Sequence, residues 1–360
     1  MRVGVPKEIK VLESRVGLSP ESVRSLTSAG HAVFIETQAG VGSGCADADY
    51  IAAGAQIVAA ATDVFAQAEL IIKVKEPQLQ ECALLGPQHV LFTYLHLAAV
   101  PDIASALCES GCTAIAYETV TASTGGLPLL QPMSAVAGRV AVQAGATALQ
   151  KSNGGSGILL GGAVGMSPAR VLILGAGVAG SNAATIAVGM QADVTVVDRT
   201  PHNRERLRAS LGDLLHTAGP EQIAELAVAA DLIIGAALVA GAAAPKLITR
   251  ELVRRMRPGS VLVDISIDQG GCFETSRPTT LAEPTFVVDG VLHYCVTNMP
   301  GDVPRTSTYA LNSATLPFVQ VLAEKGWEQA CKDDPQLANG LNVHAGEIRH
   351  PAVAEALQIA

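Results

Sequence analysis

Apolar positions along this chain gather into short runs, each closed by glycine, proline or a charged residue, with stretches of helical spacing between them. Residues 2–5, 31–36, 70–74, 90–94 and 113–117 read as strands in the first third. Parallel strands covered on both faces take this form, because no face needs polar residues. Ser19-Pro20-Glu21 opens a helix that Gly30 ends. The serine caps the first N–H groups, the proline fits the first turn, and the glycine takes the left-handed backbone past the last one. Residues 46–53 and 101–110 read as further helices. Strand and helix in alternation predict a mostly parallel sheet with covering helices.

A long Ala-rich segment of helical spacing, 133–151, is broken by Gly154-Gly155-Ser156-Gly157 and Gly161-Gly162. A second α/β unit begins at Arg170, with strands at 194–197, 232–234, 261–265 and 286–288. After Pro304 the chain turns helical again, over 309–325. No repeat of solenoid length and no low-complexity tract interrupts this order. The fold class expected is α/β, with two Rossmann-like doubly wound domains and a cleft between them.

Composition narrows the function. A length of 360 residues suits two domains of roughly 150 residues each. Aromatics make up 3% of the chain, so the cores must be built from Ala, Val, Leu and Ile. The net charge of −9 argues against a nucleic-acid partner, which needs a basic surface. The first residues carry no apolar core of a leader, and the longest apolar run, 232–244, is too short for a membrane span. No membrane partner is expected. The seven cysteines include no CxxC pair. They read as free thiols in a reducing cytoplasm, with no metal site.

The most specific motif is Val171-Leu172-Ile173-Leu174-Gly175-Ala176-Gly177-Val178-Ala179-Gly180. It follows an apolar run and opens a helix, and a second strand ends in Asp198. That is the context of a dinucleotide fingerprint. Gly175 permits the tight turn, Gly177 lets backbone approach a pyrophosphate, and Gly180 lets helix and strand pack closely. The helix start supplies N–H groups and positive dipole. Asp198 would accept from both ribose hydroxyls and repel a 2′-phosphate, which favours NAD over NADP; Arg199 and Arg204 nearby temper that preference.

Four ionisable residues fall where strands should end: Arg15, Lys75, His96 and Asp268. Ligands of open parallel sheets bind outside the carboxyl ends of the strands. Each residue also has a plainer role open to it. Arg15 reads equally as a solvated charge, Lys75 as another exposed lysine beside Lys73 and Glu76, His96 as a hydrogen-bonded core histidine, and Asp268 as a cap on the turn at Gly270-Gly271.

Val5-Pro6-Lys7-Glu8, Glu13-Ser14-Arg15-Val16 and Lys73-Val74-Lys75-Glu76-Pro77 resemble the N-terminal domain of the alanine dehydrogenase family. So do Thr93-Tyr94-Leu95-His96-Leu97-Ala98 and Ala116-Tyr117-Glu118-Thr119-Val120. The run from Asp264-Ile265-Ser266-Ile267-Asp268-Gln269 to Arg277-Pro278-Thr279 is the most specific match, and the segment from His293 to Gly301 looks like the family's cofactor loop. The resemblance covers essentially the whole chain.

The resemblance implies reversible NAD-dependent oxidative deamination of L-alanine to pyruvate and ammonia. It implies that Arg15 holds the substrate carboxylate, Lys75 binds substrate and polarises the carbonyl or imine, His96 is the acid–base group, and Asp268 positions or activates the water. Cofactor contacts are implied at Ser134, Val178, Ala179, Asp198, Ala237, Leu238, Ile265, Ser266, Ile267, Asp268, Arg277, Val296, Thr297, Asn298 and Met299, with Met133 lining the nicotinamide side. It implies a substrate domain of residues 1–128 and 306–360, a nucleotide domain of 129–305, and a cytoplasmic homo-oligomer, a hexamer. Departures from the family pattern are also present. Thr200-Pro201-His202-Asn203 reads as an insertion that displaces a basic residue, leaving Arg206 as the candidate for its role. Ala218 stands where a serine is usual, and Gly17 where alanine is, which would loosen the loop holding Arg15. Two rival readings share the architecture: a soluble NAD-binding subunit of a transhydrogenase, and a non-catalytic NAD-binding regulator.

Overall fold

A computed structural model describes residues 1–237 and 244–358. It is a mixed α/β structure whose chain divides into two compact units. The first takes residues 1–133 and 303–360, the second 134–302.

The strands, in chain order, are β1 (Arg2–Val5), β2 (Ala32–Glu36), β3 (Gln56–Val58), β4 (Leu70–Ile72), β5 (Val90–Thr93) and β6 (Thr113–Ala116). The second unit contributes β7 (Arg170–Leu174), β8 (Asp193–Val197), β9 (Leu215–Ala218), β10 (Leu232–Gly235), β11 (Val261–Asp264), β12 (Thr285–Val288) and β13 (Val291–Tyr294). The returning chain adds β14 (Leu341–His344) and β15 (Glu347–Ile348) to the first sheet.

The first sheet runs β3-β2-β1-β4-β5-β6-β14-β15, the second β9-β8-β7-β10-β11-β13-β12. Pairs among β1 to β6 are parallel, and so are those among β7 to β11 and β13. Only β14, β15 and β12 pair antiparallel. Each sheet therefore reverses its winding next to its first strand: between β1 and β4 in one unit, between β7 and β10 in the other. Such a switch point leaves a crevice at the strands' carboxyl ends.

Small aliphatic residues fill the cores, as the scarcity of aromatics requires. Val64, Ile71, Leu91, Leu107 and Ala114 pack on one face of the first sheet. Leu174, Ile233, Val253 and Leu262, with Phe273, do so in the second unit. The helix expected after Ser19 is Pro20–Ser28, with the Ser19 hydroxyl accepting from Ser22 N. Gly30 follows it at φ +86°.

Several expected elements end elsewhere. The strand expected over 70–74 stops at Ile72. The reason is a competing acceptor: the Glu8 carboxylate takes the Val74 N–H at 2.6 Å and draws the chain out of the sheet. The strand expected over 261–265 stops at Asp264, whose side chain accepts from Ser266 N and starts a 3-10 turn, Ile265–Gln269. The last long helix begins at Pro304, where proline fits its first turn. His293 and Tyr294, expected in a cofactor loop, lie in the buried strand β13. Residues 200–203, expected as an insertion, form the entry to helix Pro201–Leu211. Gly17 does not loosen its loop, because a side chain there would put Cβ 2.6 Å from the Ile72 carbonyl oxygen. Its own carbonyl accepts from Asn312 Nδ2.

The switch point of the first unit is filled by charge. Lys73 is wholly buried, not surface-exposed, and its Nζ donates to Glu8 Oε2 at 3.0 Å and Glu81 Oε1 at 2.8 Å. Burial alone would depress the lysine, but the two carboxylates hold its pKa above the ordinary value. Burial raises Glu8 against the pull of Lys73. Removing one partner of such a group leaves uncompensated buried charge. Lys73→Met is therefore expected to lower stability by about 3–5 kcal/mol in denaturant unfolding. Without Lys73, the folded pKa of Glu8 climbs further above its unfolded value. The resulting penalty is full above the folded pKa and vanishes as pH falls below about 4.3. Acid should thus narrow the gap between variant and wild type; a gap that stays constant from neutral pH into that range contradicts this account.

Candidate functional site

In the first unit, three sequence-expected residues follow adjacent strands at their carboxyl ends. Arg15 lies in the segment after β1, Lys75 after β4 and His96 after β5. Arg15 is no solvated charge, being only 2% exposed. Glu13, two residues before it, grips one edge of its guanidinium. Nε donates to Oε1 at 2.7 Å and Nη2 to Oε2 at 2.5 Å. The Nη1 edge meets Met133 Sδ at 3.2 Å. A thioether is a weak acceptor. A recess of about 230 Å³ opens here, lined in part by Lys7, Glu8, Glu13, Ser14 and Arg15.

Lys75 is half-buried. Its carbonyl accepts from Thr93 Oγ1 at 2.9 Å, and Tyr94 N donates to Val74 O. These bonds zip the ends of β4 and β5, and so tie the turn of Lys75 to that of His96. His96 is not a core histidine, since 43% of its side chain is exposed. It sits in the left-handed region at φ 49°, ψ 37°, a conformation that non-glycine residues hold only when their surroundings impose it. Its ring lies parallel to that of Tyr94, centroids 5.7 Å apart. The Tyr94 hydroxyl donates to Leu129 O at 2.5 Å. Burial raises its pKa, Arg15 opposing and Glu118 adding, so Arg15 and Glu118 both act on this one ring.

In the second unit, the expected glycines perform three separable tasks. Gly175 stands at φ +106°, and a Cβ there would meet Ala236 O at 2.7 Å. A Cβ on Gly180 would lie 1.8 Å from Gly175 O, so only glycine lets the helix Val178–Gly189 pack this close to β7. A Cβ on Gly177 would meet nothing within 4 Å. Gly177 is the N-cap and offers no side chain of its own to that helix start, and Val178 is 37% exposed. An open, glycine-lined helix N-terminus of this length is suited to a phosphate group.

Asp198 follows β8. Its Oδ2 accepts from Ala176 N and its Oδ1 from Thr200 N, each at 2.7 Å, which fixes the carboxylate beside the glycine turn. Arg206 Nη2 donates to Ala176 O at 3.1 Å, while Arg204 donates to the Asp198 carbonyl. Ala218 ends β9 beside them. Ser134 lies one helical turn before Gly138 in helix Gln131–Ala148. A Cβ on Gly138 would fall 2.1 Å from Ala179 O, so this helix packs directly on the glycine turn and its helix.

Ala237 ends the described part of the loop after β10, and its carbonyl accepts from Ser266 Oγ at 2.8 Å. Leu238 lies outside the described residues. Ile265, Ser266, Ile267 and Asp268 form the 3-10 turn after β11, with Asp268 exposed. Beneath it Asp264 is fully buried and holds the turn at both ends, accepting from Ser266 N at 3.1 Å and Cys272 N at 2.8 Å. Burial raises the Asp264 pKa, and Ser276 Oγ, donating at 2.5 Å, opposes this. Lys246 closes the far side by donating to the carbonyls of Gly270, Gly271 and Phe273. Arg277 lies over the Phe286 ring at 4.2 Å. Val296 bridges to Thr279, and Thr297, Asn298 and Met299 follow in the turn after β13.

Sequence reasoning missed Glu13, Glu118, Lys73 and Lys246. Glu13 had a usable signal, an acid two residues from the arginine. The other three act across long stretches of chain.

Known proteins match this chain over nearly its whole length. Residues 4–137 match the family model described as alanine dehydrogenase/PNT, N-terminal domain, and residues 141–351 its C-terminal domain. The alanine dehydrogenase of Halomonas elongata is 56% identical over 99% of this chain and 96% of its own length. That of Mycobacterium tuberculosis is 52% identical over 100% and 97%. A solved L-alanine dehydrogenase superposes with a TM-score of 0.96 at 50% identity, covering 99% of both chains. A transhydrogenase from Sinorhizobium meliloti superposes at 0.83 with 28% identity, covering 98% of this chain and 100% of its own.

The glycine geometry makes a split prediction. Gly180→Ala should lose about 1–3 kcal/mol of stability by overpacking. Gly177→Ala should keep the wild-type melting temperature and lose dinucleotide affinity, because its Cβ enters only open space. Equal thermal losses in the two variants would contradict this assignment.

Proposed function

This chain belongs to the alanine dehydrogenase/PNT family, and we propose that it is an NAD-dependent L-alanine dehydrogenase, interconverting L-alanine with pyruvate and ammonia. The observation that carries the reading is the set Arg15, Lys75 and His96 at neighbouring strand ends of one unit. A protein that only bound a dinucleotide would have no need of it. Membership of the family is the ground for two further proposals, a homo-hexamer and a cytoplasmic location.

The residues at the second unit's switch point suit NAD. Phosphates would take the N–H groups at Gly177, Val178 and Ala179, and the ribose the carboxylate of Asp198. Ser134 of helix Gln131–Ala148 and residues Ala237, Leu238, 265–268, Arg277 and 296–299 would contact the rest. When bound, the nicotinamide supplies the hydride acceptor and donor.

The protein's part is to bind, orient and move protons. Arg15, held on one edge by Glu13, presents the other to the substrate carboxylate, and a planar guanidinium suits that paired contact. Lys75 donates to the substrate and polarises the carbonyl or imine. As hydride leaves Cα, a proton must leave the amine. Water then adds to the imine carbon, and ammonia departs. His96, an exposed imidazole at the end of β5, is the proton carrier. Asp268 orients or activates the water.

Two measurements test this. In a panel of amino acids with NAD and NADP side by side, alanine with NAD should give the highest kcat/KM. Leucine outperforming alanine would remove the substrate assignment, and no alanine-dependent reduction at all would favour the transhydrogenase-like reading. Asp198→Ala should narrow the preference for NAD by removing repulsion of a 2′-phosphate. Separately, His96→Ala and Asp268→Ala should each lower kcat by about 10²- to 10⁴-fold with NADH binding retained. Arg15→Ala should act mainly on KM, because the carboxylate it would hold does not change in the reaction. Near-wild-type kcat in His96→Ala would take that residue out of the mechanism.

A further inference from the structure

Glu118 lies just past β6, in the short turn Tyr117–Thr119, and its side chain is only 14% exposed. Its carboxylate reaches across to the end of β5. Oε1 accepts the His96 backbone N–H at 2.6 Å, and both oxygens accept that of Leu95 at 3.2 Å. Three contacts converge on two consecutive amides, which is a fixed clamp and not a passing surface bond. The residue so clamped is the one in the left-handed conformation. The same Oε1 faces His96 Nδ1 at 3.9 Å. That is beyond a hydrogen bond but within reach of an ion pair, which exists only while the imidazole carries a second proton.

From this geometry we propose that Glu118 is a positioning residue for the reaction: it holds the strained turn that presents His96, and its charge faces Nδ1 so that Nε2 is the nitrogen that exchanges protons with the substrate. The inference rests on the reading of His96 as the acid–base group. The surroundings leave Glu118 as the partner of this ring. Tyr94 stacks on its face and spends its hydroxyl on Leu129. His350 also feels the Glu118 charge, and Arg15 is engaged by Glu13. A carboxylate facing one imidazole nitrogen favours a proton there, which leaves the other nitrogen to exchange, and favours the imidazolium that forms.

Glu118→Gln separates the two tasks. It keeps the shape and one carbonyl acceptor for the backbone clamp while removing the charge. Its kcat should fall at least tenfold, though by less than the about 10²- to 10⁴-fold of losing the acid–base group itself. KM for alanine should stay within about twofold, as expected when an interaction acts in the transition state alone. Glu118→Ala should in addition speed hydrogen exchange at the Leu95 and His96 amides. The decisive arm is the pair His96→Ala with Glu118→Gln. If Glu118 acts through His96, adding Glu118→Gln to His96→Ala should change kcat by less than about twofold, since the two act as one unit. Multiplicative losses in the double variant, or wild-type kcat in Glu118→Gln alone, overturn the proposal. Wild-type kcat in His96→Ala overturns instead the role of His96, and with it the functional reading on which this inference stands.

Discussion

Lys73 occupies the place in the first sheet where a doubly wound fold would otherwise leave a crevice. Its ammonium ties Glu8, from the segment after β1, to Glu81, from the segment after β4. The two strands that flank the reversal of winding are thus joined beyond their last backbone pair. The presentation of Lys75, and part of that of His96, starts from this junction. Glu8 also takes the Val74 amide, which ends β4 and aims the chain that carries Lys75. Through Thr93 and Tyr94 the end of β4 sets the end of β5, and so the turn of His96. A buried ion group of this kind contributes little net stability against an apolar alternative. Its contribution is geometric.

The second unit meets the same topological situation with the opposite solution. Its strands have the same order, but its switch point is lined by Gly175, Gly177 and Gly180 and stays open. One unit fills the reversal point with charged side chains of its own. The other keeps side chains out and offers backbone N–H groups. Two copies of one architecture thereby acquire different chemistry from loop composition alone, consistent with function residing in the site and not the fold.

The sequence made most of the strands legible, though not their last residues, because glycine, proline and charge punctuate apolar runs sharply. The structural tasks of Gly175 and Gly180 were legible because each follows from a steric limit. Short strands were not. Gln56–Val58 and Leu215–Ala218 sit at sheet edges with exposed or polar residues, and such runs lack a periodic signal. Val291–Tyr294 was hidden inside a segment read as a loop, because His293 looks polar; it is buried with Thr275 and the Val291 carbonyl as its partners. The burial of Lys73 and the clamp by Glu118 depend on contacts 65 and 22 residues away. Nothing in local composition distinguishes these residues from solvated charges. The exposure of His96 ran against its apolar neighbours for a related reason: a left-handed turn reverses the side on which a side chain emerges.

The pairing of β14 with β6 has a consequence for how the protein is made. About 225 residues separate Ala116 from Leu341. At about 5–20 residues per second, the ribosome adds them over roughly 10–45 seconds. During that interval the second unit is made, while the first sheet has an unpaired edge at β6. Unpaired edges recruit other strands. Until β14 emerges, β6 offers its backbone groups to any strand within reach, and the late return of the chain is what closes that edge.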